Sequence, residues 1–246
     1  MTVVTDILRH PLKSHGREAL ERVKLTHGQS MPYDREWAVA HDASSVDGSA
    51  WAPCVNFSRV SKAPALTAIS SKLDETDETL TLSHPDLPDL SFHPDTETSA
   101  FLDWVAPLVP QNRALPDRIV RLNGRGFTDS DFASVTLCNY ASHRAVEDRI
   151  GQRLSIHRWR GNIWFDTGAL WEEFEWLGRE VQIGECVLRV RERTDRCLAT
   201  TANPDTGARD ADILDALEHW GHQDFSVRAE VIKGGVIRLG DTVELC

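Results

Sequence analysis

The amino-acid sequence predicts a mainly β fold of the α+β class, a barrel or sandwich with helices attached. Nine short segments are rich in β-forming residues and bounded by Gly, Pro, Asn or Asp. Only three segments carry a helical period. The two kinds do not alternate as strand–helix–strand units would, and no repeat of fixed period runs through the chain.

In chain order, Val3–Leu8, Glu36–Ala40, Leu66–Ser71 and Thr79–Leu82 read as strands. The stretch Ser83–Thr98 then holds Pro85, Pro88 and Pro94 and is one candidate place for a domain boundary. Thr96–Leu108 places Phe101, Leu102, Val105 and Leu108 on one helical face, and Pro107 and Pro110 end it. A change from an N-terminal to a C-terminal unit is expected near residues 95–115. Beyond it, Val135–Leu137, Asn162–Phe165, Val187–Arg193, Val227–Ile232 and Thr242–Leu245 read as strands. Ser142–Ile150 is a helix closed by Gly151. Ala211–Trp220 is a second, with Ile213, Leu214, Leu217 and Trp220 on one face, Asp210 as candidate N-cap and Gly221 behind.

Composition narrows the function. The net charge of −11 argues against a nucleic-acid binder, which needs a broad basic face. No apolar run approaches the roughly 20 residues that span a bilayer. The opening MTVVTDILRHPLK lacks the charged and apolar regions of a signal peptide, so a cytoplasmic location is expected. The five cysteines, Cys54, Cys138, Cys186, Cys197 and Cys246, include no C-x-x-C pair, which excludes the common zinc, thioredoxin and iron–sulfur spacings. Most of them are expected to be buried small hydrophobes.

Two local features carry chemistry. Between Arg149 and Arg160 lie four arginines and no acid. This run is either a solvated face or a pocket for a small anion, to which the planar guanidinium fork is suited. The second feature is Arg193-Thr-Asp-Arg-Cys-Leu-Ala-Thr-Thr-Ala-Asn-Pro-Asp-Thr-Gly207. A strand pattern leads into Cys197, and Asn203-Pro-Asp-Thr-Gly207 is a turn signal. Arg193 and Arg196 flank the cysteine, and nearby positive charge favours the thiolate that acts as nucleophile or metal ligand. A packed cysteine at a strand end is the other reading.

The string RCLATTANPDTG resembles the cysteine motif of the MOSC domain, named for the C-terminal domain of molybdenum cofactor sulfurases. His10-Pro-Leu-Lys-Ser14, Tyr33-Asp-Arg-Glu-Trp37, Arg158-Trp-Arg-Gly-Asn-Ile163 and Val236-Ile-Arg-Leu-Gly-Asp-Thr-Val243 resemble further family segments in the same order. The resemblance spans nearly the whole chain and extends to the N-terminal β-barrel domain found in the mitochondrial amidoxime-reducing components. It implies a MOSC β-barrel with attached helices at 101–246, preceded by a β-barrel-like domain at 1–100.

The resemblance also implies a molybdenum–molybdopterin cofactor with Cys197 as the protein ligand to the metal, a soft thiolate for a sulfur-bound ion. Lys13, Ser14, Arg35, Arg160 and Asn162 match its cofactor-contacting positions, with Arg160 as leading phosphate ligand. Three positions depart from the family. Asp195 stands where a small hydroxyl residue is usual, with Arg193 or Arg196 expected to neutralise it. Phe132-Ala133 replace a Thr-Ser pair, leaving Ser134 as substitute. Gly161 replaces a proline. The implied activity is reduction of N-hydroxylated or other N–O small molecules. The chain has no flavin or iron–sulfur signature, so electrons are expected from a separate partner resembling a ferredoxin, a cytochrome b5 or a flavin reductase. The alternatives are a sulfur carrier using a Cys197 persulfide and a molybdenum cofactor carrier.

Overall fold

The computed structural model describes residues 1–246. Its strands are β1 (Val4–Arg9), β2 (Glu18–Leu20), β3 (Arg22–Leu25), β4 (Trp37–His41), β5 (Ser70–Asp74), β6 (Thr79–His84), β7 (Leu87–Phe92), β8 (Pro116–Arg121), β9 (Val135–Asn139), β10 (Ile163–Phe165), β11 (Glu180–Ile183), β12 (Cys186–Asp195), β13 (Asp224–Lys233), β14 (Gly235–Arg238) and β15 (Val243–Leu245). The α-helices are α1 (Thr98–Val105), α2 (Tyr140–Ile150) and α3 (Ile213–Glu218).

Eight strands form one sheet in the order β15-β11-β12-β13-β9-β10-β1-β2. A bridge between Val3 and Thr242, with Val4 N–H donating to the Asp241 carbonyl at 2.9 Å, brings β1 back to β15 and closes the sheet into a barrel. Closure removes the unpaired edges that an open sheet would expose. Alternation places Cys186, Leu188 and Val190 of β12 in the interior, against Val227, Ala229 and Val231 of β13. The β9–β10 pair is parallel, so the chain crosses between them through α2. Asn139 caps α2 by accepting from Ala141 N–H at 3.1 Å, and Gly151 ends it at φ 79°.

Strands β1 and β2 belong to this barrel although they open the sequence, and β3 pairs with β14 beside it. Residues 37–121 build a second unit from the β4–β8 ribbon, the β5-β6-β7 sheet and α1. Its core packs Trp37, Leu80, Leu82, Phe92, Phe101 and Val105 together with Ala202, which follows the Cys197 segment. A third cluster, around Trp159, Trp164, Ile213, Leu217 and Phe225, fixes α2 and α3 against the barrel. Within it the Trp159 and Phe225 rings stack at 3.7 Å, a contact worth about 0.5–1.5 kcal/mol beyond the buried area.

Two sequence expectations are corrected. Leu66–Ser71 is not one strand: Pro64–Ala68 is a 3-10 turn, and the strand begins at Ser70. Pro64 and Ala65 favour the turn, while the Ile69 side chain is simply buried. The N-cap of α3 is Asp212, which accepts from Asp215 N–H at 3.2 Å; Asp210 is drawn off by Arg158 at 2.5 Å.

Candidate cofactor site

The three N-terminal and central sequence motifs are stitched to one another through their backbones. His10 N–H donates to Asp34 Oδ1 at 2.8 Å, Arg35 N–H to the His10 carbonyl at 2.7 Å, and Lys13 N–H to the Trp37 carbonyl at 2.8 Å. Arg35 Nη2 then donates to the Arg160 carbonyl at 2.6 Å. Ser14, Arg35 and Arg160 all lie in the left-handed region, at φ 67°, 55° and 50°. Such conformations in non-glycine residues cost on the order of 1–3 kcal/mol each and persist only where the surroundings impose them. Here, tight docking imposes one of them: a Cβ on Gly126 would lie 2.4 Å from the Asp34 carbonyl oxygen, so the 126–127 backbone lies directly on Asp34-Arg35.

These loops form one wall of a cavity of about 350 Å³. Cys197 forms part of the other. It follows β12, begins the 3-10 turn Leu198–Thr201 and exposes its thiol. Thr200 holds the backbone there, donating its N–H and its hydroxyl to the Cys197 carbonyl at 3.2 and 3.0 Å. The Asn203–Gly207 turn forms as its residues require. Asn203 Oδ1 accepts from Asp205 N–H at 2.8 Å, and Gly207 sits at φ 70°, where a Cβ would meet Ala65 Cα at 2.7 Å.

The cavity is strongly cationic. Its lining includes seven basic residues, Lys13, Arg35, Arg59, Arg158, Arg160, Arg196 and Arg228, against the acids Asp129 and Asp195. In a chain of net charge −11 that imbalance selects an anionic ligand. Lys13 donates to Asp129 Oδ1 at 2.6 Å and to the Phe127 carbonyl at 2.7 Å; burial lowers its pKa and Asp129 works against that. Asp34 is buried beside Arg35. Burial pushes its pKa up, but Arg35 and the His10 hydrogen bonds prevail and hold it well below the ordinary carboxylate range. Arg160 has no carboxylate partner and donates only to the Gly16 carbonyl, at 3.3 Å. Burial and then the Arg35 guanidinium pull its pKa down from 12.5 to about 9. The two like charges repel, and an anion bound beside them would relieve the repulsion.

Asp195 is neutralised, though not by the residues that sequence proximity suggested. Arg228 of β13 reaches it at 3.3 Å and Glu192 at 2.7 Å. Arg193 lies over the Phe174 ring at 4.3 Å, and Arg196 donates to the Phe225 carbonyl at 2.6 Å and the Trp159 carbonyl at 2.8 Å. Bulges in the β12–β13 ladder set which side chains face the cavity, and no local pattern reveals them.

Of the residues singled out in sequence, Lys13, Ser14, Arg35, Ser134, Arg160 and Cys197 line this one cavity. Asn162 does not. Its Nδ2 donates to the Leu8 carbonyl at 3.2 Å and its Oδ1 accepts from Thr136 N–H at 3.0 Å, so the amide ties β1 to β9. Ser134 accepts from Ser130 Oγ at 2.8 Å, while Phe132 turns away beneath Arg191. The arginine run divides. Arg149 and Arg153 are exposed and outside the cavity, Arg158 lines it with its charge spent on Asp210, and Arg160 lines it with no carboxylate partner. Sequence reasoning missed Cys54, Arg59, Asp129, Thr194 and Arg228, all of which line the cavity. Thr194, a hydroxyl three residues before Cys197, has its buried Oγ1 without a hydrogen-bond partner.

The family model for the MOSC domain matches residues 125–244, and that for the MOSC N-terminal beta barrel domain matches residues 1–106. The chain belongs to the MOSC family. MOSC domains are associated with molybdenum cofactor binding in the family. The crystal structure of the YUAD protein from Bacillus subtilis aligns with all of this MOSC chain (100%) and 96% of its own, at 10% identity and a TM-score of 0.48. That of YiiM from Geobacillus stearothermophilus aligns with 46% of this chain at 18% identity and a TM-score of 0.35, and the MOSC chain spans 53% of its length. No curated protein matches the chain. None of its helices is long and apolar enough to cross a membrane.

Proposed function

We propose that this MOSC protein is a molybdenum-cofactor-binding oxidoreductase that reduces N-hydroxylated or other N–O compounds. The observation that carries the reading is the exposed Cys197 thiol opening on the same cavity as the Arg35–Arg160 pair. The donor set suits the group: a soft thiolate for the metal, and guanidinium groups on the same cavity wall for a phosphate. Arg160 and Arg35 hold the phosphate, with Lys13, Ser14 and Ser134 on the same wall, and Cys197 ligates the metal. When bound, the cofactor supplies two-electron, oxygen-accepting chemistry. The protein orients it through loops whose backbones are already fixed, so little ordering remains to be done on binding.

With no second redox motif in the chain, electrons come from a separate protein, and a cytoplasmic setting is proposed with it. Metal analysis tests the reading. Cys197→Ser made in a cofactor-competent host loses molybdenum, because a hydroxyl is a far poorer ligand for this soft site. Cys54→Ser, Cys138→Ser, Cys186→Ser and Cys246→Ser each retain it. Equal molybdenum in Cys197→Ser and wild type overturns the reading. An exposed thiol flanked by cations also suits a persulfide carrier. Native mass spectrometry separates the two, since a persulfide adds one sulfur to Cys197 and leaves the protein without metal.

A further inference from the structure

Arg59 differs from every other basic residue of the cavity wall. The other six each donate to a carboxylate or carbonyl oxygen. The Arg59 guanidinium contacts only Cys54 Sγ, at 3.4 Å, a weak acceptor that leaves most of its donors unused. It is half-buried, so the unspent hydrogen-bonding capacity is partly withdrawn from water.

Arg59 also lines a second cavity of about 180 Å³, next to the first. Lys62 and Arg113 project into that space from different segments, His41 and Ser58 complete its polar wall, and no carboxylate lines it. None of the three cations takes part in any ion pair of the protein. Three like charges, two from the Arg59–Lys62 turn and one from Arg113, line one small concavity in a protein whose net charge is −11. Like charges gathered on one concavity repel, and an anion bound among them would relieve that repulsion.

We propose that Arg59, Lys62 and Arg113 form a second anion subsite, for the carboxylate or oxyanion group of a small molecule, continuous with the Cys197 cavity through Arg59. It stands on this geometry and does not require the molybdenum reading. Arg59 belongs to both walls, so an anion in the smaller space draws the guanidinium off Cys54 and changes the shape of the larger cavity.

The test is calorimetric titration of the purified protein with sodium sulfate and, separately, sodium benzoate, each exchanged against chloride at constant ionic strength. Wild type binds at least one of them. Arg113→Gln and Lys62→Gln, both exposed and outside the folded core, each weaken that binding by about tenfold, the loss expected for one charge-assisted hydrogen bond. Preference for benzoate assigns the subsite to the anionic end of an organic substrate, and preference for sulfate assigns it to a free oxyanion. The inference is overturned if neither anion binds, if both variants bind as wild type does, or if only Arg160→Ala abolishes binding. Binding lost in Arg113→Gln but unchanged in Arg160→Ala supports the subsite, and the phosphate assignment is then decided separately by pterin retention in Arg160→Ala.

Discussion

The Cys138 thiol fills the space that a side chain at position 161 needs. A Cβ on Gly161 would lie 2.1 Å from Cys138 Sγ, yet 3.6 Å from Cys138 Cβ. Gly161, between Arg160 and Asn162, is therefore matched to a cysteine on the neighbouring strand β9. Burial pushes that thiol's pKa up to about 12, so it packs as a neutral group. The Arg160 loop approaches the barrel closely because these two positions are small and large in complement.

Gly161→Ala is expected to destabilise the fold by about 1–3 kcal/mol, the usual cost of overpacking. In a Cys138→Ala background the same change costs less than about 1 kcal/mol, because the contacts that remain, at 3.6 Å to the Cβ of residue 138 and 3.7 Å to Thr136 Cγ2, are ordinary van der Waals contacts. Urea denaturation of the four proteins closes the cycle. Equal costs in both backgrounds would show that the thiol is not the obstacle.

Arg160 is expected to trade stability against binding. Arg160→Ala weakens cofactor retention by about 1.5–3 kcal/mol, and Arg160→Lys weakens it less, since lysine keeps the charge but loses the fork. Without cofactor, Arg160→Ala should melt higher than wild type, because Arg35 no longer faces a like charge. Arg153→Ala is the control: Arg153 is exposed and paired with Glu147 at 3.1 Å. Pterin content after dialysis and melting curves read the two effects separately. Retention equal to that of Arg153→Ala removes Arg160 from the site.

Asp195→Ser is expected to strengthen anion binding in the cavity, since it removes one of its two acids and releases Arg228 from a 3.3 Å contact. The carboxylate is largely exposed, so the gain stays within about 1 kcal/mol and fades as salt is raised. Pterin retention at low and high chloride measures it, and a decrease in retention contradicts the prediction.

Stability should fall between pH 7 and 5 in a way that His15 reports. Its pKa drops from 6.5 to about 4, chiefly through burial and also through Arg160, against the opposing hydrogen bond to the Lys13 carbonyl. A depressed folded-state pKa means the stabilising contribution is complete above 6.5 and is lost as pH falls towards 4. At pH 5 the loss from this group is about 2 kcal/mol. His10, pulled to about 3, acts in the same direction. His15→Gln lowers overall stability but should flatten the decline between pH 7 and 5 by about that amount. An unchanged slope of unfolding free energy against pH rules this out.

What the sequence determined by itself is local. The Asn203–Gly207 turn, the Gly151 end of α2 and the alternation of β12 each depend on residues a few positions apart, so their chemistry is complete within the string. The turn and the strand before it put Cys197 at a strand end for the same reason. The motif strings also pointed to residues that one cavity gathers. Only the tertiary structure decided how their charges are spent. Asp195 found Arg228 rather than its neighbours because strand register and bulges decide which side chains share a face. Asn162 was consumed by the backbone of β1 and β9, and Cys54 and Arg59 reached the cavity from far away in the chain. Hydrogen bonds and ion pairs between distant segments depend on packing, and packing is settled by the whole core at once.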